Sequence, residues 1–66
     1  MKLTVNGEAH EVPDGVTVQA LLRHLTLEEG PVAVEVNQTI VPRADHPARK
    51  LAAGDVIEIV HLVGGG

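Results

Sequence analysis

Residues 54–66 read Gly-Asp-Val-Ile-Glu-Ile-Val-His-Leu-Val-Gly-Gly-Gly. Gly54-Asp55 has the chemistry of a turn. From Val56 to Val63 runs the longest strand pattern of the chain, with Ile57 and Ile59 alternating with Val56, Glu58, Val60 and Leu62. A strand of this length must find its backbone partners in a sheet. If the isoleucines face the core, Val60 and Leu62 lie on the opposite, open face, because successive side chains point to opposite sides. Immediately after the strand come Gly64, Gly65 and Gly66.

The residues upstream supply the sheet. Lys2–Asn6 alternates, with Leu3 and Val5 on one face and Lys2, Thr4 and Asn6 on the other. Asn6-Gly7 follows, and since both central residues of a type I′ turn need positive φ, this pair predicts a hairpin whose return strand is Glu8–Val12. Pro13-Asp14-Gly15 ends it as a turn. Val32–Asn37 returns to period two, and Asn37-Gln38-Thr39 connects it to Ile40-Val41. Pro42 cannot donate to a ladder, so that last strand is brief and lies at an edge.

Between the two strand pairs the period changes. Val18, Leu21, Leu22 and Leu25 stand at i, i+3, i+4 and i+7, one apolar stripe on a helix Val18–Leu25 with Thr17 as its N-cap. Leu27 to Pro31 is a loop. Arg43 to Ala53, with Pro42 and Pro47 as breaks, is an irregular crossover with room for one helical turn and Leu51 as its core anchor. The helix must bury its stripe, and the surface on offer is one face of the sheet. The expected fold is therefore α+β, a sheet with one helix packed on one face.

Composition narrows the chemistry. A chain of 66 residues is one domain, and at this size only about 60% of the unfolded surface is buried on folding. There is no cysteine, so disulfides and cysteine-ligated zinc are excluded and aliphatic packing must stabilise the fold. With no Ser, Cys or Tyr either, the usual Ser- or Cys-based nucleophilic catalysis cannot be written. Phe, Tyr and Trp are absent and the net charge is −4, which excludes base-stacking platforms and disfavours a phosphate-backbone binder. Met1 to His10 alternates without an apolar run, neither a signal peptide nor a membrane span, so a cytoplasmic protein is expected.

Four histidines, His10, His24, His46 and His61, are scattered without metal-ligand spacing and read as surface or partly buried imidazoles. Arg43, Arg49 and Lys50, with His46 among them, form the one basic cluster, either a solvated crossover or a docking patch for an acidic partner. Val60 and Leu62 are either ordinary strand formers or, rimmed by polar residues such as Glu58, a partner site. The three terminal glycines are the anomaly. Without Cβ atoms they can enter a narrow cleft, and fully extended they reach about 10 Å past the sheet. A phosphate-cradling loop needs a helix after its glycines, and nothing follows these.

Asn6-Gly7, the run Val36-Asn37-Gln38-Thr39-Ile40-Val41-Pro42-Arg43, the stretch Gly54–Val60 and the final Gly64-Gly65-Gly66 together resemble the ThiS family, the ubiquitin-like sulfur carriers of thiamine biosynthesis. The resemblance covers essentially the whole chain. It implies a β-grasp domain over residues 1–63 and a flexible glycine tail over 64–66, with the first and last strands parallel at the centre of a mixed sheet. It also implies a carrier and not an enzyme, binding no cofactor or metal of its own. Gly66 would be adenylated by a ThiF-like activating enzyme using ATP and magnesium, then converted to a thiocarboxylate with sulfur from a cysteine desulfurase system. The sulfur would pass to thiazole synthase. Gly64 and Gly65 would thread partner active sites, while Val60, Leu62 and Glu58 would dock. Carriers for molybdopterin or tRNA thiolation and ubiquitin-like protein modifiers share the terminal Gly-Gly, and remain the competing readings. Leu62 stands where the family often carries an aromatic residue.

Overall fold

The computed structural model describes residues 1–25 and 30–62. The expected loop residues 27–29, the end of the last strand at Val63 and the glycine tail 64–66 lie outside the described residues. Among the described residues five strands run in chain order as β1 (Lys2–Val5), β2 (Glu8–Glu11), β3 (Val32–Val36), β4 (Thr39–Val41) and β5 (Val56–His61). Among them also are one helix, α1, over Val18–His24, and a short 3₁₀ turn over Arg43–Asp45.

The strands form one sheet in the order β2-β1-β5-β3-β4. β1 and β5 are parallel neighbours at its centre, and every other pairing is antiparallel. A parallel pair needs a long crossover, and everything from β2 to the start of β5 provides it. β4 lies at an edge, as Pro42 requires. The boundaries depart from the sequence reading by a residue or so. Asn6 and Asn37, expected as strand ends, are turn residues with φ of 49° and 50°. Thr39, expected in a connection, already belongs to β4.

Helix α1 forms where its stripe begins. Thr17 sits at φ −86° and ψ 166°, and its hydroxyl oxygen accepts from the Ala20 backbone N–H at 3.1 Å, as an N-cap should. Seven residues are too few for a helix to hold in water alone, so packing must stabilise it. Val18, Leu21 and Leu22 are buried, and Leu25 packs against the same core as a partly buried neighbour. They meet Leu3 and Val5 of β1, Val34 and Val36 of β3, and Ile57 and Ile59 of β5. Leu51 is buried at 4% exposure and anchors the crossover, which is otherwise irregular. The helix face of the sheet is thus closed.

Candidate functional site

β5 is the element from which any function of the following residues must be presented, and its backbone is gripped from both edges. On one edge lies the ladder to β3, registered from Val36↔Ile57 to Val32↔His61. It is extended by Leu62, whose N–H donates to the Pro31 carbonyl at 2.9 Å. On the other edge the parallel ladder to β1 is short, with register pairs Thr4↔Val56 and Val5↔Ile57. Beyond it β1 turns away at Asn6-Gly7.

Two asparagines complete the grip. Asn6 donates its backbone N–H to the Ile57 carbonyl at 2.9 Å. Its side chain then accepts from the Ile59 N–H through Oδ1 at 2.8 Å and donates to the Ile59 carbonyl through Nδ2 at 3.2 Å. A carboxamide offers one acceptor and a donor side by side, so it stands in for the peptide group that a longer β1 would have supplied. Asn37, in the β3–β4 turn, does the same at the start of β5. Its N–H donates to the Val56 carbonyl at 2.7 Å and its Oδ1 accepts from the Val56 N–H at 2.9 Å. Its Nδ2 donates to Asp55 Oδ1 at 2.9 Å, while Asp55 Oδ2 accepts from the Ala52 N–H at 2.8 Å.

The open face of the sheet carries the expected docking residues. Val60 and Leu62 are 54% and 52% exposed, and Glu58 lies on the same face, as alternation from the buried Ile57 and Ile59 demands. Sequence reasoning passed over three neighbours. Ile40 is the most exposed large apolar residue described, at 70%, and Val56 is 48% exposed. Glu35 pairs directly with Glu58 across β3 and β5, and Ile40 pairs with Glu35 across β4 and β3. Val56 could have been taken from the same alternation that gave Val60, whereas the Glu35–Glu58 juxtaposition needed the strand register. Gln38, Asn37, Val56 and Glu58 line a shallow depression of about 330 Å³ beside them.

The basic cluster changes character. His46 is buried at 5% exposure, deeper than the surface or partly buried imidazole expected, and its Nε2 lies 3.1 Å from the Val41 carbonyl oxygen. A carbonyl can only accept, so Nε2 carries the hydrogen and the ring ties the crossover to β4. Arg43, Arg49 and Lys50 remain exposed without it. Among the described residues no group of three or more His, Asp or Glu side chains is arranged to hold a metal. Among them no helix is long and apolar enough to cross a membrane.

First and last strands parallel at the centre, hairpins on both flanks and one helix across a single face define a β-grasp protein of the ubiquitin-like class. The crystal structure of a thiamine biosynthesis protein (ThiS) from Geobacter metallireducens superimposes with a TM-score of 0.86 at 33% identity, covering all of both chains. The ThiS family model matches residues 3–66. The chain belongs to the ThiS family. The sulfur carrier protein ThiS of Bacillus subtilis is 45% identical over 53 residues, 80% of either chain. A thiazole synthase of Magnetococcus marinus is 42% identical over 66 residues, which is all of this chain and 20% of that protein. The chain therefore spans about a fifth of the length of the thiazole synthases it matches.

Proposed function

We propose that this chain carries sulfur for thiamine thiazole formation, as a thiocarboxylate at Gly66. The observation that carries the reading is the extent of the family match, which runs through the last glycine and not only over the folded body. A carboxylate is a poor electrophile and has to be activated. Its oxygen attacks the α-phosphorus of ATP, held with magnesium by an adenylating ThiF-like partner, and pyrophosphate leaves. A sulfide-equivalent nucleophile, supplied by a cysteine desulfurase system, then adds to the acyl carbon and expels AMP. The thiocarboxylate sulfur is the reagent that thiazole synthase receives. In Magnetococcus marinus a segment like this chain is itself part of a thiazole synthase, which supports that enzyme as the recipient. The chain acts throughout as a co-substrate and contributes position, with Gly64 and Gly65 offering no Cβ to obstruct a partner's cleft.

Docking falls to the open face. Val56, Val60, Leu62 and Ile40 provide exposed apolar area, and Glu58 and Glu35 sit among them as directly opposed carboxylates. Like charges paired across strands destabilise a sheet. A partner that brings a cationic side chain, flanked by apolar residues, relieves that repulsion on binding and is steered by it beforehand.

Intact-mass spectrometry of the chain isolated from its native cells tests the chemistry. A sulfur-for-oxygen increment localised to the tail peptide is expected. Adducts on lysine would instead make it a protein modifier, and an unmodified tail would leave a binding module. Docking is tested separately with Val60→Asp, which adds a carboxylate beside Glu58 and Glu35 on the face. Weaker calorimetric affinity for the activating enzyme is expected, with the fold retained. Unchanged affinity removes the proposed surface.

A further inference from the structure

We infer that Asn6 is a positioning residue for the tail chemistry: its carboxamide fixes the line along which β5 delivers the residues beyond Leu62. The inference rests on the carrier reading proposed above and adds to it a role for a residue far from the glycines in sequence. Its basis is the unequal support of β5. On the β3 edge hydrogen bonding continues to the very end of the described strand, through His61 and the Leu62–Pro31 bond. On the β1 edge the ladder stops at Ile57, and what holds the strand further along is the Asn6 side chain on both polar groups of Ile59.

Ile59 is buried at 6% exposure, so its N–H and carbonyl have strong reason to keep these partners. A strand held on both edges has a fixed direction, and one held on a single edge can swing and twist about it. The swing begins three residues before Leu62, so its effect on whatever follows is levered outward. Leu62, past Ile59, shares in the swing, but the other docking residues depend less on Asn6. Ile40, Glu35 and Val56 belong to other strands or to the Asn37 end of β5, and Val60 keeps its pairing with Ala33. Loss of the carboxamide should therefore leave association with a partner intact while misplacing the group that must react. Misplacement by about 1 Å is enough to cost orders of magnitude in rate.

The residue's conformation agrees with a dedicated role. Asn6 holds φ at 49° in the first central position of the turn, where only asparagine, aspartate and glycine are readily accommodated. Of those three, asparagine alone carries a donor and an acceptor to offer Ile59. Aspartate would keep the acceptor for the N–H and set a second oxygen against the carbonyl. Glycine would keep the turn and lose both bonds.

The test is steady-state pyrophosphate release by the adenylating enzyme with ATP, the full chain being the varied substrate. Asn6→Gly and Asn6→Asp are expected to lower kcat by about tenfold or more, with KM within about threefold of the parent. Val12→Ala, a cavity variant at the far end of the first hairpin, lowers stability while leaving both Asn6 bonds to Ile59 in place, and should leave kcat unchanged. Asn6→Asp retains the bond to the Ile59 N–H, so it keeps the test usable should Asn6→Gly fold poorly. Parental kcat in Asn6→Asp, or an equal fall in Val12→Ala, overturns the positioning role. A chain ending at Val63, with all three glycines removed, separates this from the carrier reading: if it still supports pyrophosphate release, the carrier reading fails, whatever Asn6 does.

Discussion

The two hairpins flanking β5 share a turn geometry and a first residue, yet differ in the second. In β1–β2 the central residues are Asn6 and Gly7, at φ 49° and 83°; in β3–β4 they are Asn37 and Gln38, at φ 50° and 70°. Each asparagine turns its carboxamide onto β5, one at Ile59 and the other at Val56. The first hairpin takes its positive φ from glycine, which adopts it without strain. In the second it is forced on a glutamine, against a left-handed penalty of roughly 1–2 kcal/mol. What compensates is tertiary: the Asn37 side chain is tied to both Val56 and Asp55, and Asp55 to Ala52. A turn can thus be specified by its own residues or by what it is bound to.

The sharpest way to break the comparison is to remove each carboxamide while keeping a residue that tolerates positive φ. Asn6→Gly strips two hydrogen bonds from the buried Ile59, and unsatisfied buried polar groups cost about 1–3 kcal/mol each. Asn6 itself is exposed, so water reaches part of the gap, and a loss of about 2 kcal/mol is expected. For a domain of this size that is a fall in Tm of roughly 8–16 °C. Asn37→Gly removes bonds in an exposed setting and leaves the N–H to Val56 in place, so about 1 kcal/mol is expected. Calorimetric melting of the two variants checks the order. Equal losses would mean that the two grips are equivalent and that burial of Ile59 does not matter.

What the sequence made legible follows the same division. Asn6-Gly7 announced its turn because its second residue is glycine, whereas Asn37-Gln38 read as a plain connection because glutamine rarely sits at positive φ. The helix was legible through Val18, Leu21, Leu22 and Leu25, whose spacing is set by local geometry. The parallel pairing of β1 with β5 is not a local property, and it entered through family resemblance instead of periodicity. Among the docking residues, Val60 and Leu62 followed from alternation along one strand. Ile40 and Glu35 depended on registers across three strands, which no single segment encodes. His46 escaped because its partner, the Val41 carbonyl, lies on another element, a pairing that no local spacing encodes.

Gly7→Ala separates the backbone contribution from the side-chain one. No atom lies within 4 Å of the position a Cβ would take, so the substitution meets no clash and tests φ alone. A loss of about 1 kcal/mol is expected from the left-handed conformation. The kinetics of the variant should match the parent, since Asn6 still reaches Ile59. A drop in kcat comparable to that of Asn6→Gly would show that turn geometry, not the carboxamide, sets the direction of β5.

The smallest effect is expected from Gln38→Gly, and it has the opposite sign. Glycine relieves the left-handed strain at φ 70°, worth about 1–2 kcal/mol. It also adds entropy to the unfolded chain, which opposes folding by about 0.4–1 kcal/mol. The difference is a net stabilisation of about 0.5 kcal/mol, or roughly 2–4 °C in Tm. Gln38 also borders the depression beside Glu58. If the glutamine persists because a partner settles there, Gln38→Gly will melt later and bind the activating enzyme more weakly. If stability rises with affinity unchanged, the strained turn serves no docking purpose. The second hairpin is then a less stable copy of the first, tolerated because Asn37 and Asp55 already hold it in place.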